Sequence, residues 1–251
     1  PYSIWLATVV VSGISYLSYL LKRYVFHESG TLVSGIIGGL YSSTATISVL
    51  ARKSRKASEQ EATDYVAAML LAVSMMFLRF MILILIFSRE IFLSIYPYLL
   101  TMAVVAAIVA WFIHSRQKRP EDQPAETEED DSSNPLEFKV ALIFAVLFVI
   151  FTFLTHYTLV YAGTGGLNLL SFVSGFSDIT PFILNLLQNT GSVAALIITA
   201  CSMQAIISNI MVNMFYALFF AGKGSKLRPW ILGGFGVVIA CNLVLLLFFY
   251  I

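Results

Sequence analysis

Eight apolar runs, each close to the length of a membrane-spanning helix, make up most of this chain: 4–21, 31–51, 64–87, 91–113, 138–161, 166–188, 191–221 and 228–251. A hydrocarbon core of about 30 Å takes about 20 residues of helix. Within it every backbone N–H and C=O must be paired inside the protein, which leaves helices and closed barrels as spanning elements. Barrel strands alternate polar and apolar residues; these runs do not, so helices are expected. Of the 251 residues, 59% are hydrophobic and 12% charged, outside the range of soluble globular domains.

The charge balance narrows the function classes. A net charge of +1 gives no reason to expect nucleic acid. Cys201 and Cys241 lie in apolar sequence, and small buried packing residues are the plainer reading. His27, His114 and His156 are too scattered for a metal site by spacing. The sequence has no His-Glu-x-x-His, Cys-x-x-Cys, phosphate loop or Gly-x-Ser-x-Gly, so nothing marks an enzyme and no cofactor is implied. Residues 1–21 lack the basic start and cleavage site of a signal peptide. The start at Pro1 and the end inside an apolar run suggest part of a longer protein.

Residues 115–135, SRQKRPEDQPAETEEDDSSNP, are charged and Pro-containing and read as a disordered linker. Four apolar segments lie on each side. The expected fold is therefore an all-α polytopic membrane protein of two four-segment halves. The first repeat is 1–114, the linker 115–136 and the second repeat 137–251. Gly39-Leu40-Tyr41-Ser42-Ser43-Thr44 can be laid on Ser174-Gly175-Phe176-Ser177-Asp178-Ile179, and the third segments then set Arg79 against Asn209. If all eight segments span, the halves are parallel. The loops on the linker side then hold seven Lys or Arg and the opposite loops six, and the RKSRK cluster favours a cytoplasmic linker. If segments 2 and 6 are broken or re-entrant, each half has three full spans and the repeats are inverted.

Chemistry is expected in segments 2 and 6, which are small, polar and glycine-containing. In segment 6, Ser171, Ser174, Asp178, Pro181, Asn185 and Gln188 share one helical face. Asp178 is the only acidic residue deep inside an apolar segment, at a cost of about 3 kcal/mol unless paired or hydrated. Pro181 clashes with the carbonyl of Ser177 and should kink the helix. Freed carbonyls beside a carboxylate can ligate a cation; a purely structural ion pair is the plainer alternative. In segment 2, Gly35-x3-Gly39 and Ser34-x3-Gly38 allow close helix approach. Ser42, Ser43, Thr44 and Thr46 offer hydroxyls; a tight packing face is the plainer alternative. Arg79 lies too deep to reach the interface easily, and Asp178 is its expected counter-ion. Asn209 and Asn213 extend a polar core, with helix-to-helix hydrogen bonding as the simpler reading.

The stretches GIIGGLYSSTATISVLARKS, WLATVVVSGISYLSYLL, FVSGFSDITPFILNLL and MQAIISNIMVNMF resemble the membrane domain of unknown function 4010, from Trp5 to the end of the chain. That domain typically follows an MgtC-type domain in MgtC/SapB-class proteins. The resemblance implies a multi-pass protein of a prokaryotic inner membrane and no particular activity. A link to Mg²⁺ would come only by analogy with the MgtC neighbour. The chain departs from the pattern at Thr180 and Pro181, where a second acidic residue commonly follows Ser-Asp, and it shows no MgtC domain.

The expectation is a transporter or channel-like protein for a small ion or polar solute, the ion being a cation such as Mg²⁺. Its site lies at mid-membrane between segments 2 and 6. Asp178 binds the cation or metal, with Ser177, Ser174, Asn185, Ser42, Ser43, Thr44 and Thr46 around it. The alternative is a non-transporting regulatory or scaffold protein acting through helix contacts. Expected partners are the bilayer, the ion or solute, and other copies of the chain in a homo-oligomer.

Overall fold

The computed structural model describes residues 2–20, 30–55, 57, 61–116, 138–188, 193–222 and 225–250. Among them are nine helices and no strand. They are α1 (Tyr2–Leu20), α2 (Thr31–Lys53), α3 (Ala62–Phe87), α4 (Arg89–Ser115), α5 (Phe138–Tyr161), α6 (Gly163–Ser174), α7 (Ile179–Gln188), α8 (Ala195–Ala221) and α9 (Arg228–Tyr250). Six stretches are long and apolar enough to cross a membrane: Thr31–Lys53, Thr63–Phe87, Arg89–Ser115, Val146–Gly163, Ala195–Ala221 and Arg228–Phe248. Large apolar side chains such as Trp111, Phe153, Leu169, Phe215 and Phe248 point outward. So much exposed apolar surface suits lipid and not water. The chain is a multi-pass membrane protein whose regular structure, among the described residues, is all helical.

The eight expected segments map onto these helices, and the two that could be broken, 2 and 6, are both interrupted. The sixth, 166–188, is two helices, α6 and α7, of 12 and 10 residues. At 1.5 Å per residue they measure about 18 and 15 Å, too short to cross alone. The charged linker lies outside the described residues from 117 onward.

Local sequence explains the long helices. α3 runs from Ala62 to Phe87 without Gly or Pro. Ser88 ends it in extended backbone (φ −154°, ψ 104°), and its Oγ accepts the Ile91 N–H at 3.4 Å to open α4. One residue thus closes α3 and caps α4. Helices then meet through small residues and buried hydrogen bonds. A Cβ on Gly39 would stand 2.5 Å from Ala72 Cα, so only glycine lets α2 lie this close to α3. Ser74 Oγ donates to Ala103 O at 2.8 Å between α3 and α4, and Tyr98 Oη to Asn242 Oδ1 at 2.5 Å between α4 and α9. Asn242 is thus a packing residue. α8 is the most enclosed of the six long apolar helices and touches α2, α4, α6, α7 and α9.

Candidate functional site

Both glycine-containing polar stretches are interrupted helices. Inside α2, Ser42 adopts extended backbone, φ −157° and ψ 109°. In an unbroken helix the Ala45 N–H would bond Tyr41 O. Here Ser42 Oγ accepts it at 3.3 Å, a side-chain cap in mid-helix. Tyr41 O is left for another donor. Beyond the break the chain approaches its own first arm: a Cβ on Gly38 would lie 2.5 Å from Thr46 Oγ1. Eight residues along a straight helix are about 12 Å apart.

The second interruption separates α6 from α7 at 175–178. Pro181 cannot donate to Ser177 O, and its ring collides with that carbonyl in a continuous helix. Asp178 Oδ1 accepts the Thr180 N–H at 2.9 Å and opens α7. Gly175 O, which loses its helical donor at the break, accepts from Asn209 Nδ2 at 3.2 Å. Asn213 Nδ2 holds Asn209 in place, donating to its Oδ1 at 3.2 Å. Any Cβ at Gly175 would collide with Ser208 on α8.

Arg79 joins the two breaks. Its Nη1 donates to Tyr41 O at 2.7 Å, and its Nη2 donates to Thr180 Oγ1 at 2.5 Å. Arg79 and Asp178 make no direct salt bridge within 4.0 Å, although the Asp178 carboxylate still favours the charge on Arg79. The salt bridge found among the described residues is His114–Asp64, at 2.6 Å. Arg79 and Asp178 both engage buried Thr180, through its hydroxyl and its N–H respectively, so Thr180 stands between the charges. The continuous polar stripe along segment 6 is corrected, because the helix breaks at 175–178 and Ser171 bonds Gln204 on α8 whereas Asn185 bonds Thr152 on α5.

The breaks open onto a cavity of about 670 Å³. Its walls include Ser42, Ser43, Thr44, Arg79, Ser177, Asp178, Thr180 and Asn209, with Ser12, Ser48, Arg52, Tyr216 and Phe220 extending it. Asp178 and Ser177 are exposed to it, and Arg79 is half-buried. Four expected site residues lie elsewhere. Ser174 is buried and donates to Ser171 O at 2.7 Å. Asn185 is buried and donates to Thr152 Oγ1 at 2.8 Å on α5. Thr46 packs on Gly38, and Asn213 supports Asn209. Thr180 and Tyr41 O were missed. The Asp-x-Thr-Pro pattern could have marked Thr180, since a carboxylate two residues before it caps a helix that Pro181 forces to start there.

An all-helical membrane bundle with a polar cavity at two helix breaks defines the class. Residues 9–221 match the model of the domain of unknown function DUF4010. The chain belongs to that family. It is similar to an uncharacterized protein of Aquifex aeolicus (strain VF5), 24% identical over 227 residues, covering 88% of this chain and 96% of that protein. No solved structure matches.

Proposed function

We propose that this protein carries a small ion or polar solute across a prokaryotic inner membrane by alternating access. The substrate would bind where α2 and α6–α7 are interrupted. One observation carries the reading: the cavity reaches Asp178 and Arg79, whereas a regulatory or scaffold role would leave a dry stripe sealed against the arginine. Two interrupted helices meeting at a central site are the usual architecture of such carriers.

The chain direction supports inverted repeats. The first arm of α2 runs alongside α3 in the same sense, Gly35 against Ala68 and Gly39 against Ala72. Its second arm returns, since Thr46 lies on Gly38. Likewise α6 follows α8, with Asn168 beside Cys201, Ser171 beside Gln204 and Gly175 beside Asn209. Were α7 to continue in that sense, Gln188 and Ala195 would lie about 36 Å apart, and seven residue steps reach at most about 25 Å. α2 and α6–α7 are thus re-entrant hairpins entering from opposite faces.

Contacts between helix ends agree. Arg55 Nη2 donates to Phe219 O at 3.3 Å, and Arg52 sits 4.3 Å over the Phe220 ring. The ends of α2 and α8 therefore share one face, which eight full spans would forbid. That leaves α1, α3 and α4 opposite α5, α8 and α9, one hairpin in each half. Among the described residues, Arg52, Lys53, Arg55, Arg116, Lys139, Lys226 and Arg228 sit at helix ends on the shared face, with Arg89 opposite and Arg79 within. The near-even split of the eight-span count becomes a strong positive-inside bias, so this face and the linker are cytoplasmic. The cavity runs from the breaks along Ser48, Arg52, Tyr216 and Phe220 toward that face, an inward-facing state.

The test is flux into liposomes across a panel of ions and polar solutes. Asp178→Asn should abolish it, whereas Asn185→Leu, outside the cavity wall, should retain it in a monodisperse protein. Normal flux by Asp178→Asn, or none by the wild type under any gradient, ends the reading.

A further inference from the structure

Asp178 is a single carboxylate, and no group of three His, Cys, Asp or Glu able to hold a metal occurs among the described residues. A bare cation would also face Arg79 across the same cavity. The two mid-cavity charges are opposite in sign, engage the same residue, Thr180, and yet form no ion pair within 4.0 Å. We propose that this dipolar pair receives a small zwitterion of amino-acid type, its carboxylate on Arg79 and its ammonium on Asp178. The proposal rests on the carrier reading above and names its substrate class.

The geometry fits the class. Arg79 Nη2 reaches Thr180 Oγ1 in 2.5 Å, and the Thr180 N–H reaches Asp178 Oδ1 in 2.9 Å. Within one residue those two Thr180 atoms are about 3 Å apart, so guanidinium and carboxylate are separated by at most about 8 Å. An ammonium and a carboxylate on one or two carbons, with a hydrogen bond at each end, span about the same length. Arg79 uses two of its five N–H donors on Tyr41 O and Thr180, and the remainder can grip a carboxylate. Asp178 has one oxygen occupied by the Thr180 N–H, which leaves the other for an ammonium. Ser42, Ser43 and Ser177 also line the cavity. The volume of about 670 Å³ is that of a small organic solute with water, much larger than a stripped ion needs. A zwitterion also leaves the net charge at mid-membrane unchanged on loading, which limits the cost of moving the loaded site.

Thermal stability of the purified protein in detergent tests this, with glycine, alanine, β-alanine and γ-aminobutyrate as probes. Acetate, ethylammonium and magnesium chloride serve as single-charge comparisons. At least one zwitterion should raise the Tm by several degrees at millimolar concentration, and the single-charge ions should not. Asp178→Asn and Arg79→Lys should each weaken its apparent affinity about tenfold or more, and Ser94→Ala, exposed on α4, should leave it unchanged. Equal stabilisation by acetate or ethylammonium, no stabilisation by any zwitterion, or binding indifferent to both charge variants overturns the proposal. Flux separates the two readings. Magnesium transport without a zwitterion effect would sink only the substrate class. Zwitterion binding without any transport would sink the carrier and keep the site.

Discussion

Replacing Thr180 by valine isolates the contact that joins the two breaks. Valine keeps the shape and the N–H that Asp178 accepts, and removes only the Oγ1 that takes the Arg79 Nη2–H at 2.5 Å. A hydrogen bond to a charged group is worth about 1.5–3 kcal/mol. Arg79 keeps Tyr41 O and is half-buried beside the cavity, so water can fill part of the loss. Hydrogen bonds between membrane helices also fall low, up to about 1.7 kcal/mol. The expected cost is therefore about 1–2 kcal/mol, read as a shift in equilibrium unfolding by SDS titration in mixed micelles. Thr180→Ser should recover most of it. In a double-mutant cycle, Thr180→Val should cost almost nothing on an Arg79→Gln background. If valine matches the wild type within about 0.5 kcal/mol, or serine is as poor as valine, then Thr180 does not hold Arg79 and the account of the site is wrong.

Gly39→Ala should destabilise by about 1–3 kcal/mol, since its Cβ meets the Ala72 backbone at 2.5 Å. Gly233→Ala, with nothing within 4 Å, should be neutral or slightly stabilising in the same titration. Cysteines at 42 and 177 should cross-link, both positions lying on the cavity wall; no product from neighbouring pairs in folded protein would separate the breaks. Tyr98→Phe should cost about 0.6–1.7 kcal/mol through its bond to Asn242, and an unchanged unfolding midpoint would make that bond incidental. A cysteine at Ser48 should react with an impermeant maleimide from the cytoplasmic face, and labelling only from the opposite face would reverse the assigned orientation.

Much of the fold was legible because a bilayer imposes local rules. Residue count and apolarity placed the ends of α3, α4, α8 and α9 within a few residues. Pro181 announced the interruption of segment 6, and an isolated Asp178 in apolar sequence marked a residue that lines the cavity. A broken segment 2 was one of the two topologies the sequence left open, but the place of the break, Ser42, was not legible. α2 contains no proline, and its 23 residues pass every test of a spanning helix. What breaks it is a set of partners distant in sequence: Arg79, 38 residues away, takes Tyr41 O, and Ala68 and Ala72 accept the glycine arm. That Arg79 and Asp178 meet through Thr180 and not by direct contact was hidden for the same reason. Charge type and depth predict which groups attract, but the break at 175–178 decided that Thr180 would come between them. Periodicity records what a segment prefers alone, whereas a carbonyl freed in lipid goes to whichever donor the tertiary fold brings within reach.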